Sequence, residues 1–409
     1  MDPLLGYDSG MRSVELFAGG GGLLLGSHLA GFQAEAALEW NRWACDTLRQ
    51  NQAAGHPLIP HDCRIIEGDV REMDWSVIPE GVDLVTGGPP CQPFSGGGLG
   101  RAADDKRDMF PATVEVIRTL RPRAFVIENV RGLTRQAFSD YLAYIDLQLQ
   151  HPEMGPRENE AWGEHYRRLQ CEHTTVSSDL QYRLVRRTVN AADYGAPQQR
   201  HRVIFVGFRS DLEAEFAFPE PTHSKAALAA DQSAAGTYWD RHQVPLRERE
   251  PIVGTSADAG DTSPWRTVRD ALAGMPEPTE KGSSCWLDHR LQAGAKIYPG
   301  HTGSPLDQPS KALKAGVHGV PGGENMMRFP DGSVRYYSVR EAARIQTFPD
   351  RWALHGAWGE AMRQLGNAVP VILAERILGV VAEHLQLAQA RQSVDTRTLP
   401  LPMELSHEF

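Results

Sequence analysis

The feature that most constrains this chain is the alternation, through about its first two hundred residues, of short β-branched runs with helical patterns. Strands are expected at residues 13–17, 34–38, 64–67, 82–85, 124–127, 182–189 and 202–207. Helices are expected between several of them, for example at 43–52 and 110–119. This rhythm predicts an α/β fold, a mostly parallel twisted sheet with helices on both faces. Only residues 190–201 separate the last two runs, which are therefore expected to pair as an antiparallel hairpin at one edge. Ligands in open α/β sheets bind beyond the carboxyl ends of the strands, so the residues at those ends carry the functional reading.

One such end is Gly87-Gly88-Pro89-Pro90-Cys91-Gln92-Pro93-Phe94-Ser95, directly after the apolar run at 82–86. Proline fixes its own φ and pushes the preceding residue towards extended geometry, so the Cys91 thiol stands on a stiff turn. That placement suits a nucleophile, yet free cysteine is also among the most buried residue types. Alone, Cys91 reads equally well as chemistry or as core.

Upstream, Val14-Glu15-Leu16-Phe17-Ala18-Gly19-Gly20-Gly21-Gly22-Leu23 carries a strand into four glycines and then an apolar helix. Such a bend lets backbone approach a nucleotide closely, with the helix N-terminus facing it. The dinucleotide fingerprint G-x-G-x-x-G fails, because Leu24 or Leu25 stands where the third glycine belongs. Glu39, about 20 residues further on, is placed for ribose hydroxyls. Trp40 can stack on an adenine, and Asp69 can bond its amino group. A nucleoside cofactor without a pyrophosphate, S-adenosylmethionine foremost, fits this set better than NAD. The bland alternative is a packing turn with solvated acids.

Three further groups stand out. Glu128 closes the buried run Phe125-Val126-Ile127, where a carboxylate is costly unless paired or used. Arg200 and Arg202 alternate in Gln198-Gln199-Arg200-His201-Arg202, so on a strand they share one face beside Glu128. Near the end, Arg340 and Arg344 share a helix face, and Asn367 lies between a glycine and Pro370. Taken singly, each reads more readily as structural.

Hydrophobic content of 41% and charged content of 23% are those of an ordinary globular protein, and no apolar stretch of membrane-spanning length is expected. The first residues lack the pattern of a signal peptide. Five cysteines with no CxxC pair argue against a disulfide framework or a metal site and suit a reducing cytoplasm. Net charge is −10, but residues 286–346 hold eight Lys/Arg against five acids, which keeps nucleic acid open as a partner. The polar segment 150–178 is expected to be an extended surface loop, and 286–337 short strands and loops. A helix starts at Ser338, whose spacing to Glu341 makes a capping box. A last helix is expected at 371–388, with a flexible tail at 391–409.

Together and in this order, these segments closely resemble the prokaryotic-type cytosine-C5 DNA methyltransferase family. The matching motifs are F-A-G-G-G-G, G-P-P-C-Q-P-F-S, E-N-V, Q-x-R-x-R, R-x-x-x-R-x-Q-x-F-P-D and G-N-A-V-P, spanning residues 13–370. The resemblance implies a Rossmann-like S-adenosylmethionine-dependent domain at 11–215, completed by 345–390, and a smaller irregular target-recognition domain at 216–344. Carried over by position, Cys91 would attack C6 of cytosine, Glu128 would hold or protonate N3, Arg202 would contact the base's carbonyl oxygen, and Arg200 would brace Glu128. Phe17, Ala18, Gly19, Gly20, Gly21, Gly22, Glu39, Trp40, Asp69, Val70, Pro90, Asn367 and Val369 would line the cofactor.

The target base must leave the stack, and the glycine-rich run 95–101 would close over it as a lid. Gln92, Ser95, Arg101 and Arg107 near the lid would meet DNA. So would Lys311, Lys314, Arg328, Arg335 and Arg340 in the basic segment. The implied partners are double-stranded DNA and a cognate restriction endonuclease in the same cell. A monomer in a bacterial cytoplasm, nucleoid-associated and with no membrane contact, is the implied setting. Asp108 departs from the small residue expected there, and the 150–178 segment is long. Two alternatives stay open: an RNA (tRNA) cytosine-C5 methyltransferase, and a DNA-binding regulator whose active site has lapsed.

Overall fold

A computed structural model describes residues 10–90, 108–174, 178–251, 260–315 and 325–398. Cys91, Gln92, Ser95, Arg101, Arg107 and the expected lid at 95–101 lie outside the described residues. The strands of the first half are β1 (Met11–Leu16), β2 (Phe32–Glu39), β3 (Arg64–Glu67), β4 (Leu84–Gly87), β5 (Ala124–Val130), β6 (Tyr182–Asn190), the two-residue β7 (Gln198–Gln199) and β8 (His201–Arg209). All but β7 form one sheet in the order β3-β2-β1-β4-β5-β8-β6. β1 to β5 are parallel, and β8 runs antiparallel to both β5 and β6, as the expected edge hairpin requires.

Both faces of the sheet are apolar because both are covered. On one face, Leu16, Val85, Phe125, Ile127 and Phe205 meet helices α3 (Phe110–Leu120) and α4 (Ser139–Gln150). They complete the crossovers begun by α1 (Gly22–Leu29) and α2 (Arg42–Ala53). The segment 150–178 departs from expectation, since it contains a helix, α5 (Trp162–Glu172), docked on α4. Its inner face buries Leu169 and His165. The His165 ring bonds the Tyr144 hydroxyl at 2.8 Å and the Met154 carbonyl at 2.7 Å. A polar composition concealed the helix because half its inner face is a satisfied histidine.

The segment 216–344 is built from small pieces. Strand β9 (His223–Ser224) pairs with β10 (Ser263–Pro264). Strands β11 (Ser304–Pro305), β13 (Met326–Arg328) and β14 (Val334–Tyr336) form a small sheet, and β12 (Ser310–Lys311) pairs with β7. Helices α6 (Lys225–Asp231), α7 (Tyr238–Arg241) and α8 (Val268–Leu272) lie among them. Val268, Ala271, Leu313, Met327 and Tyr337 join Ala18, Leu24, Leu48 and Trp352 in one apolar cluster, so this segment shares a core with the sheet.

Three helices follow: α9 (Val339–Ile345), α10 (Trp358–Asn367) and α11 (Val371–Thr398). The capping box forms as expected, with the Ser338 hydroxyl accepting from Glu341 N at 3.1 Å and the Glu341 carboxylate accepting from Ser338 N at 2.7 Å. α11 starts after Pro370 and runs ten residues beyond the expected end at 388, so part of the expected tail is helical. The stretch Trp358–Gln392 contains a window long and apolar enough to span a bilayer, which corrects the expectation of none. That window is 67% buried, and Leu373, Ile377, Leu378 and Val381 pack on the second face of the sheet.

The packing of α1 against α11 and the chain that leads into it depends on two glycines. A Cβ on Gly26 would come within 2.3 Å of the Ala374 Cβ, and one on Gly22 within 2.3 Å of the Val369 carbonyl oxygen.

Candidate active site

The strand order reverses between β1 and β4, and the cleft at such a switch point is where α/β sheets bind ligands. The glycine bend after β1 forms one wall. Phe17 (φ 54°), Gly19 (φ 54°) and Gly21 (φ 96°) all take left-handed backbone, which turns the chain sharply off the strand. Glu39, at the end of β2, holds the bend: one carboxylate oxygen accepts from Gly19 N at 2.8 Å and the other from Asn41 N at 2.7 Å. Burial pushes its carboxyl upward, and the N–H groups of Asn41 and Gly19 pull it back. The carboxylate keeps acceptor capacity for a ribose hydroxyl. Trp40 beside it is 77% exposed, an uncovered indole next to a nucleoside-type acid.

The other residues expected around a cofactor divide. Asn367 is exposed at the end of α10. Ala18, Val70 and Val369 bury their side chains in the core and can offer a ligand only backbone. The Asp69 carboxylate is gripped by Arg71, with Nε–Oδ1 at 2.9 Å, and that bond holds its carboxyl down at about 2. An adenine amino group would have to share it with the guanidinium. The exposed indole, the Glu39 carboxylate and the left-handed bend nevertheless fit a nucleoside without a pyrophosphate.

The opposite wall carries the groups expected to be reactive. β4 ends in Gly87, and Gly88-Pro89-Pro90 leads to Cys91. Glu128 lies on β5, and Arg202 pairs with Val130 two residues on, so Arg202 and Glu128 share a face. Arg202 Nε and Glu128 Oε1 form an ion pair in which both side chains are nearly enclosed. Gly88 makes room for this carboxylate, since a Cβ there would lie 2.9 Å from Glu128 Oε2. Asn129 Nδ2 donates to the Pro89 carbonyl at 3.0 Å, tying β5 to the proline turn. Asn129 and Gly88 stood inside the quoted motifs, but their roles needed three-dimensional neighbours to emerge.

Arg200 does not brace Glu128. The strand breaks at this residue, between β7 and β8, and its buried guanidinium donates to the carbonyls of Leu313 at 2.9 Å and Gly366 at 2.6 Å. Burial, then the charge of Arg202, pulls its basicity well below the ordinary value. Gln198 joins the same hub: its Oε1 accepts from Leu313 N at 2.9 Å and its Nε2 donates to Gln346 Oε1 at 3.1 Å. Arg200 therefore fastens the segment 310–315 and the α10 terminus beneath the strand that carries Arg202.

A family model described as C-5 cytosine-specific DNA methylase matches residues 11–151 and 171–383. The chain belongs to that family. The methyltransferase is 31% identical over 376 residues to the Type II methyltransferase M.PspPI of Psychrobacter sp. (strain TA137), covering 88% of this chain and 76% of the relative. It is 29% identical over 384 residues to the Type II methyltransferase M.NgoPII of Neisseria gonorrhoeae, covering 92% of this chain and 96% of that one. Its fold is that of a DNA modification methyltransferase encoded in an Escherichia coli prophage (TM-score 0.56, 21% identity, 92% of this chain and 99% of that one). The S. pombe Dnmt2 methyltransferase shares it also (TM-score 0.52, 16% identity, 92% and 98%). The α/β architecture expected from the alternating runs is thereby borne out, as is a methyltransferase acting on C5 of cytosine in DNA. The family match omits residues 152–170, most of the loop-and-α5 insertion.

Several cations expected to meet DNA are already engaged inside the methyltransferase. Arg340 is fully buried and donates to the carbonyls of Leu287 (3.0 Å), Pro349 (2.9 Å) and Trp352 (2.6 Å). Arg335 makes two 2.8 Å bonds to the buried Glu341 carboxylate and lies 3.2 Å from Glu277. Neither is available to a phosphate, because sequence spacing reports a shared face but not what that face packs against. Arg328 lies 3.8 Å from Glu250 at the surface, Lys311 Nζ bonds Thr302 Oγ1 at 3.1 Å, and Lys314 is exposed.

Proposed function

We propose that this methyltransferase moves the methyl group of S-adenosylmethionine to C5 of a cytosine flipped out of double-stranded DNA, through a covalent bond between Cys91 and C6. The observation that carries the reading is the enclosed Arg202–Glu128 pair, set against Gly88 two residues before the Pro90-Cys91 step. C5 of neutral cytosine is too weak a nucleophile to take a methyl group directly. Addition of the Cys91 thiolate to C6, with N3 held or protonated through Glu128, turns C4–C5 into an enamine whose C5 is electron-rich. Arg202 fixes Glu128 and reaches the base's carbonyl oxygen. S-adenosylmethionine, when bound, supplies an electrophilic methyl on sulfur. Glu39, Trp40 and the bend from Phe17 to Gly22 hold its nucleoside. Once C5 is methylated, a base removes the C5 proton and the Cys91–C6 bond breaks, which restores the aromatic ring and returns the thiolate.

The reading includes a recognition unit at 216–344 mounted on a catalytic unit at 11–215 and 345–390. It places a monomer in a bacterial cytoplasm, working on duplex DNA beside a cognate nuclease. The test is mixed-sequence duplex carrying 5-fluorocytosine, incubated with protein and S-adenosylmethionine. Fluorine cannot leave as a proton does, so a crosslink through Cys91 is expected, absent in Cys91→Ala, which still binds cofactor. Methyl transfer to ordinary cytosine without any crosslink would defeat the covalent route. Transfer to tRNA but not to DNA would favour the RNA substrate.

A further inference from the structure

Arg131 is an exposed guanidinium at the catalytic edge that the chemistry above leaves unused. It begins the single 3₁₀ turn Arg131–Thr134 directly after β5, three residues beyond Glu128. Its neighbour Val130 lies opposite Arg202. The turn is rigid: Leu133 is fully buried beneath it, and Thr134 Oγ1 donates to the Arg131 carbonyl at 2.9 Å. The half-buried His201 ring lies within electrostatic reach. Burial, then the charges of Arg131 and Arg202, draws its basicity down, while Asp193 opposes them. Among the described residues no carboxylate pairs with the Arg131 guanidinium and no side-chain hydrogen bond engages it.

Arg335, Arg340 and Arg344, by contrast, are all taken up by internal partners. A cation with no carboxylate partner among the described residues at this edge, in a chain of net charge −10, matches a polyanion brought to the cleft. Extruding a base rotates its backbone, and a guanidinium fork on a rigid turn suits a phosphate that must be held while this happens.

We propose that Arg131 grips a backbone phosphate flanking the flipped cytosine. This rests on the DNA reading above and adds a positioning group to it. The solvated-surface alternative makes a different prediction about salt. Full-length protein is titrated with unmethylated mixed-sequence duplex made by PCR, from about 0.05 to 0.3 M salt. Arg131→Gln is expected to lower the slope of log affinity against log salt by about one, and to weaken binding about tenfold near 0.1 M salt.

Arg131→Lys should keep the wild-type slope. So should Arg183→Gln, which removes an exposed charge at the far end of β6, opposite Phe208. In tritium-transfer assays the Arg131→Gln loss should fall on KM for DNA rather than on kcat. An unchanged slope in Arg131→Gln, or an equal drop in Arg183→Gln, overturns the assignment. If wild-type protein methylates no DNA at all, the reading beneath fails and takes this one with it. A methylating wild type with an unmoved Arg131→Gln slope defeats Arg131 alone.

Discussion

Leu16, Val85, Phe125 and Ile127 in the sheet are buried by neighbours of their own kind, whereas Arg340 within the segment 216–344 and Arg200, which anchors it, are buried among backbone carbonyls. The two regions reach the same enclosure by different means. In the sheet, apolar area removed from water supplies the stabilisation, about 1.5–3 kcal/mol for each large side chain. Around 216–344 the strands are two or three residues long, too short to bury much. There, charged side chains satisfy irregular backbone that would otherwise be costly to enclose. The basic surplus of residues 286–346 is in good part structural cement, and charge counted along the chain overstates what faces DNA.

The widest test of this contrast is Arg340→Met, which strands three carbonyls and Asp288. A loss of about 3 kcal/mol is expected in denaturant unfolding, with the salt slope of DNA binding unchanged. A stable variant with a shallower slope would return Arg340 to the DNA surface.

The next test concerns Glu15, the exception within the sheet. It is fully buried on β1 opposite Thr86, whose hydroxyl donates to it. Burial pushes its carboxyl from the ordinary 4.5 up to about 8, with the Thr86 bond opposing. The folded state therefore holds a proton that the unfolded chain gives up. Its contribution is complete below about pH 4.5 and is lost as pH rises through about 8. Glu15→Gln should remove that decline and be the more stable protein at pH 8, by on the order of a few kcal/mol. Parallel stability-against-pH curves for the two proteins would refute the buried acid.

The smallest effect belongs to Arg328→Gln. Its partner Glu250 is 3.8 Å away at the surface, so unfolding should shift by less than about 0.5 kcal/mol. A larger loss would mean that this segment's exterior is as tightly knit as its base.

The same contrast explains what could be read in advance. The strands and the edge hairpin were legible because apolar alternation and turn residues are local signals, and the Ser338–Glu341 cap because its partners are three residues apart. The Glu128–Arg202 pair was half legible: the motifs placed both groups in one cleft, but not which arginine touches the acid. Arg200, Arg340 and α5 were not legible. Their burial depends on Leu313 and Gly366, on Leu287 and Trp352, and on Tyr144 meeting His165, and none of these pairs leaves a periodic trace.

The glycine bend after β1 is moulded by chain made much later. The Trp352 indole donates to the Gly20 carbonyl across 332 positions, and Val369 sits against Gly22. During translation β1 to β5 are made well before Trp352 and Val369, so the bend gains these two contacts only late. A chain ending before Trp352 would lack both contacts and leave the bend without this support.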